Sequence, residues 1–166
     1  MLVVRAGRVA LVALLGIAST SACAGSSPES GERRAAAVYT EVVRWFADES
    51  SDDPDPLPVF VEPRGEGASV PLGVQADLVN AAKDFADVRF IDARDEALVE
   101  NDAGVTVVAD DGVLIRLSPV VEDGARVFVD VDVHEVDAEF TTMQFDVRRT
   151  GDTWRISETP SSIPQD

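Results

Sequence analysis

Arg126-Val-Phe-Val-Asp-Val-Asp-Val-His-Glu-Val136 decides the fold class. Val127, Val129, Val131 and Val133 alternate with Phe128, Asp130, Asp132 and His134. Successive side chains of a β-strand point to opposite faces, so this period of two places the valines on one side and the polar residues on the other. A strand with one apolar and one polar face belongs to a sheet covered on one side only, as antiparallel sheets commonly are.

The same period extends in both directions. Thr141, Met143, Phe145 and Val147 repeat it, and Arg149-Thr-Gly-Asp152 turns the chain into a last strand with Trp154 and Ile156. Upstream, Glu122-Asp123-Gly124 is a turn, and Pro119 marks a strand end or an edge because it has no N–H to donate. Val105 and Val107 on one side of Asp110-Asp111-Gly112, with Val113, Ile115 and Leu117 on the other, predict a hairpin. Asn101-Asp-Ala-Gly104 is a further turn.

Before residue 93 the period lengthens. Val38, Val42 and Trp45, widened by Tyr39, Val43 and Phe46, form one apolar stripe and predict a helix over about residues 32–48. Leu78, Ala81, Ala82 and Phe85 predict a second helix over about 75–85. Between them lie a short strand, Val59-Phe60-Val61, and a turn around Gly65 and Gly67; Val88 and Phe90 predict one more strand. The expected fold is α+β: two N-terminal helices packed on a mostly antiparallel meander sheet of four to six strands. In architecture this loosely resembles cystatin-like and NTF2-like folds, with no shared motif.

The chain carries 31 acidic and 14 basic residues, a formal charge of −17. A field of that sign repels phosphates and excludes nucleic acid as a partner. Lys83 is the only lysine, and the arginine, alanine, valine and aspartate usage resembles that of actinobacterial proteins.

The N-terminal segment has another logic. Arg5 and Arg8 precede an apolar run from Val9 to Ala18, followed by Ser19-Thr-Ser-Ala-Cys23. A basic start, an apolar stretch and small residues before a cut are the parts of an export signal. With the sole cysteine just after the cut, the segment resembles a bacterial lipoprotein signal with its lipobox. Ser21 and Ala22 match the small residues of that motif; Thr20 departs from it. The resemblance implies diacylglycerol on the sulfur of Cys23, a membrane anchor at that residue, and a place on the outer face of the cell membrane. Two alternatives stay open: a secretory signal cut near Ala22 or Ala24, and a retained helix, although ten apolar residues fall short of the ~20 that span a bilayer. The expected organisation is a signal at 1–22, a flexible tether at 23–31, one domain at 32–160 and a tail at 161–166.

Candidate sites are few. Residues 48–58 are rich in aspartate and proline, yet lack the alternate spacing and central glycine of a calcium-binding EF-hand loop. Asp130, Asp132 and His134 share one strand face, to which the next strand adds Gln144 and Asp146. An imidazole beside carboxylates suits metal binding or acid–base work; the simpler reading is the solvated face of the sheet. His134 is the only histidine, no Gly-x-Ser-x-Gly elbow occurs and Cys23 is taken by the expected anchor, so nucleophilic catalysis has less support. No cofactor is implied. The expectation is a non-enzymatic, lipid-anchored envelope module that binds a ligand or an envelope protein partner. The alternatives are an NTF2-like enzyme with a small acidic and histidine site, and a calcium-dependent structural module.

Overall fold

The computed structural model describes residues 31–50, 55–124, 126–134 and 140–163. Cys23, the signal-like segment, nearly all of the tether and part of the acidic loop lie outside these residues. Among the described residues are two helices, α1 (Gly31–Glu49) and α2 (Leu72–Ala82). The strands are β1 (Leu57–Pro63), β2 (Ala86–Phe90), β3 (Leu98–Glu100), β4 (Thr106–Val108), β5 (Val113–Leu117), β6 (Val121–Asp123), β7 (Arg126–His134), β8 (Phe140–Thr150), β9 (Thr153–Ile156) and β10 (Ser161–Ile163). No helix among these residues is long and apolar enough to cross a membrane.

The helix expected at 32–48 forms as α1 and buries Val38, Tyr39, Val42, Val43 and Phe46. Glu32 in its first turn faces the positive end of the helix dipole. Trp45 meets Phe46 and Phe145 edge-on, with ring centres 5.0 and 5.5 Å apart, and so ties α1 to β8. The second helix begins three residues earlier than expected, directly after Pro71, whose ring holds φ at −54°. Its buried row is therefore Val74, Leu78 and Ala82, while Ala81 faces water.

The fold is mixed α+β, with two helices and a large sheet. That sheet has eight strands, in the order β10-β8-β7-β5-β1-β2, with β6 also on β7 and β9 also on β8. This corrects the expected four to six. β5 and β6 lie in line along one edge of β7, parted where Pro119 has no donor for the ladder. β9 and β10 share an edge of β8 in the same way, so the expected tail at 161–166 opens with a strand. Three-residue strands are too short to carry a readable period.

The helices are not simply N-terminal to the sheet either. β1 lies between them in sequence, and α2 carries the chain from β1 to β2, which pairs with β1 in parallel. β1 also pairs in parallel with β5. The remaining pairings of the large sheet are antiparallel, including the nine-residue register of β7 on β8.

The hairpin expected at Asp110-Asp111-Gly112 does not form. β4 pairs instead with β3, around the Asn101–Gly104 turn. There Asn101 Oδ1 accepts hydrogen bonds from the backbone of Ala103 and Val105, both at 3.0 Å. Asp110 and Asp111 do take left-handed φ values of 56° and 53°, but they lead the chain out of this small hairpin and into the large sheet.

Val59, Val61, Ile115, Val129, Val131 and Phe145 pack under the helices in the main core. On the opposite face Phe60, Ile91, Ala97 and Leu114 form a smaller cluster with Leu98 and Val108 of the β3–β4 hairpin. The hairpin thus covers only part of that face. The rest, along β7 and β8, is where the candidate residues stand.

Candidate functional site

The register of β7 on β8 sets Asp130 opposite Gln144, Asp132 opposite Thr142, His134 opposite Phe140 and Phe128 opposite Asp146. All the candidates read from the sequence therefore share one face. Asp130 and Gln144 touch directly, Gln144 Nε2 donating to Asp130 Oδ1 at 3.0 Å.

The simpler expectation, a solvated face, fails at two positions: Asp132 is 3% exposed and His134 is 8% exposed. Asp132 is covered by arginines of neighbouring elements. Arg116 of β5, in register with Asp132, donates to its Oδ2 at 3.0 Å. Arg64, just past β1, places Nε 3.1 Å from the same oxygen and Nη1 3.3 Å from Asp130 Oδ2. Thr142 Oγ1 donates to Asp132 Oδ1 at 2.7 Å. Both oxygens of Asp132 thus accept hydrogen bonds, which is how a buried carboxylate is tolerated.

Asp146 pairs with Arg126, and with Arg148 at 3.3 Å. The hydrogen bond from Arg126 holds its carboxyl below the usual carboxylate range, and Arg148 adds to this. Each carboxylate expected to do chemistry is therefore engaged by a guanidinium. Among the described residues no three histidine, cysteine, aspartate or glutamate side chains gather so as to hold a metal ion.

His134 differs from its neighbours. Among the described residues neither Nδ1 nor Nε2 has a hydrogen-bond partner. Its ring meets Phe140 edge-on at 5.5 Å. Burial pushes its pKa below the ordinary imidazole value, and the charge of Arg94 pushes it the same way.

Two recesses adjoin this framework. One is a shallow concavity of about 530 Å³ on the polar face, bounded by Arg64, Gly65, Arg116, Asp132, Thr142 and Ile163. The other, about 290 Å³, lies on the helix side, between the start of α1, the β1–α2 connection and the break at Pro119. Tyr39, Val70, Val74, Leu117 and Val120 line it, and Arg34 forms an ion pair with Glu122 at its rim. Tyr39 Oη donates to the Ser118 carbonyl at 2.9 Å, and burial raises its pKa to about 12. Ser118 also accepts, through Oγ, the backbone N–H of Asp130 at 2.9 Å. The break in the β5–β6 ribbon is therefore fastened to α1 by Tyr39 and to the backbone of β7 by Ser118.

Sequence reasoning missed Arg64 and Arg116. They lie 66 and 16 residues from the aspartates they engage, and no local pattern links them. Arg148 was open to detection, since it continues the polar period of Gln144 and Asp146 on β8.

Comparison with protein-family models, with curated proteins and with solved structures gives no match for this chain.

Proposed function

We propose that this chain is an exported, lipid-anchored, non-enzymatic module of the cell envelope that binds a small, mostly apolar ligand. The engagement of Asp130, Asp132 and Asp146 by arginines carries the non-enzymatic part of this reading. A carboxylate whose oxygens are taken up by guanidiniums is poorly placed to accept a substrate proton. The recess beside Tyr39 supports the binding part: it is largely apolar, close to the lower end of ligand-pocket volumes, and has a few polar groups at its rim. The anchor rests on the residues before and at Cys23. Two acyl chains at such a cysteine hold a protein at a membrane far better than one.

The loose cystatin-like or NTF2-like likeness belongs to this proposal. Helices on one face of a large sheet support it; the parallel pairing of β1 with β2 and β5 departs from a simple meander. One observation favours the runner-up, an NTF2-like enzyme: His134 is buried with two unpartnered ring nitrogens.

The anchor is tested by intact-mass spectrometry of the protein from the membrane fraction. The expected N-terminus is a diacylglyceryl Cys23, and Cys23→Ala should release the protein from membranes. An unmodified N-terminus at another residue would refute the anchor. Binding is tested by native mass spectrometry of the purified protein for a co-purifying apolar compound. Val74→Trp, which fills the recess, should abolish it; retention of the compound would remove the recess as its site.

A further inference from the structure

The polar face holds a second cluster, which the apolar recess does not use. Arg94, in the 3-10 turn before β3, lies over the Phe140 ring with its guanidinium carbon 4.5 Å from the ring centre. Arg116 lies over the same ring at 4.0 Å. Stacking on an aromatic ring holds a guanidinium plane while leaving its N–H edge able to donate. Among the described residues no carboxylate lies within ion-pair range of Arg94. Arg116 gives one nitrogen to Asp132, but its Nε is buried without a partner among the described residues. His134, edge-on to Phe140, is buried, and among the described residues both ring nitrogens are unpartnered.

Orphan donors of this kind are costly, at about 1–3 kcal/mol each, and native proteins rarely keep them without a use. Here two side chains on one ring, Arg116 at Nε and His134 at its ring nitrogens, carry such atoms among the described residues, and the partly exposed Arg94 lies over the same ring. A neutral imidazole offers one N–H, Arg116 offers Nε–H and Arg94 offers its fork. The groups the arginines offer are all donors, and a carboxylate, with two oxygens, is an acceptor of matching kind.

We infer that the Arg94–Arg116–His134 cluster around Phe140 is a receptor for the carboxylate group of a small ligand. Other groups on this face limit the charge of that ligand. Asp132 and Asp130 flank the cluster, compensated by Arg64. Glu62, in register with Arg116, has Oε2 buried without a partner. Three arginines and three carboxylates therefore share this face, and a doubly charged phosphate is repelled by the carboxylates more strongly than a singly charged carboxylate ligand.

His134 is the only histidine, so its ring resonances report on the cluster without ambiguity. The test follows them by NMR in the full chain as acetate is added at constant ionic strength, with chloride as the balancing anion and inorganic phosphate in a parallel series. Acetate should shift the signals saturably and raise the pH at which His134 titrates; phosphate should act more weakly. Arg94→Gln, a change at a partly exposed position, should raise the acetate midpoint about tenfold, the loss of one charge-assisted contact, and leave the urea midpoint of unfolding unchanged. Val120→Trp, which fills the apolar recess, should leave the acetate response intact, so this inference and the proposed ligand recess can fail separately. No saturable shift, an equal response in Arg94→Gln, or loss of the response in Val120→Trp would overturn the receptor. Tighter binding of phosphate than of acetate would overturn its assignment to carboxylates.

Discussion

Arg64 places its Nε 3.1 Å from Oδ2 of Asp132, so a residue just past the end of β1 neutralises a carboxylate in the middle of β7, across the intervening β5. Two strands that share no ladder are thereby joined by side chains.

That link sets an order among the aspartates. Asp132 is buried and receives Arg64, Arg116 and Thr142, whereas the Asp130 side chain is 36% exposed. Asp132→Ala removes a buried acceptor shared by Arg64, Arg116 and Thr142, and should cost about 3 kcal/mol. Asp130→Ala should cost less than about 1 kcal/mol, as partly exposed pairs do. Urea unfolding of the two variants checks the order, and equal losses would contradict it.

Tyr39→Phe removes the hydrogen bond to the Ser118 carbonyl and should lower stability by about 1 kcal/mol. Tyr39 is the only tyrosine, so phenolate absorbance reads its titration directly. Its pKa is raised from 10.0 to about 12. The folded state therefore keeps the proton longer than the unfolded chain, and stability should fall as pH rises through that window. An ordinary tyrosine titration in the folded protein would refute the burial argument.

His134 gives the opposite dependence. Its pKa is lowered in the folded state by burial, and further by Arg94. The unfolded chain then binds a proton more readily, so stability is full above the ordinary imidazole value of 6.5 and declines as pH falls below it. Thermal melting across this range should show the decline in the native protein and a smaller one in His134→Phe. Identical profiles would show that the imidazole is not the group responsible.

Gly112 is a packing requirement. A Cβ there would stand 2.5 Å from the Pro58 carbonyl oxygen and 3.1 Å from that of Ala109. Both are backbone atoms, which cannot swing aside. Gly112→Ala should destabilise by about 2–3 kcal/mol, at the upper end of overpacking costs. Gly31→Ala, with nothing within 4 Å, should be neutral or slightly stabilising because alanine favours helix. Chemical denaturation of both variants provides the comparison.

Local periodicity alone determined the class of this fold, the α1 helix and the two-faced character of β7 and β8. Val127 to Val133 and Phe145 to Val147 declare their inward face because side chains alternate along a strand whatever lies beside it. The same alternation aligned Asp130, Asp132 and His134. Tertiary structure decided the rest. The order of strands depended on which ribbon β1 would join, and parallel pairing through α2 leaves no trace in the period of either strand. Asp110-Asp111-Gly112 has the backbone angles of a tight turn, yet β4 found its partner upstream, because a turn's chemistry sets its shape and not the identity of the strands that pair. The state of the acidic face was settled from a distance as well. Arg64 and Arg116 turned Asp132, on an expected solvated surface, into a buried and paired carboxylate on the same face as His134, since charge compensation in a sheet acts across strands and only the fold brings those strands together.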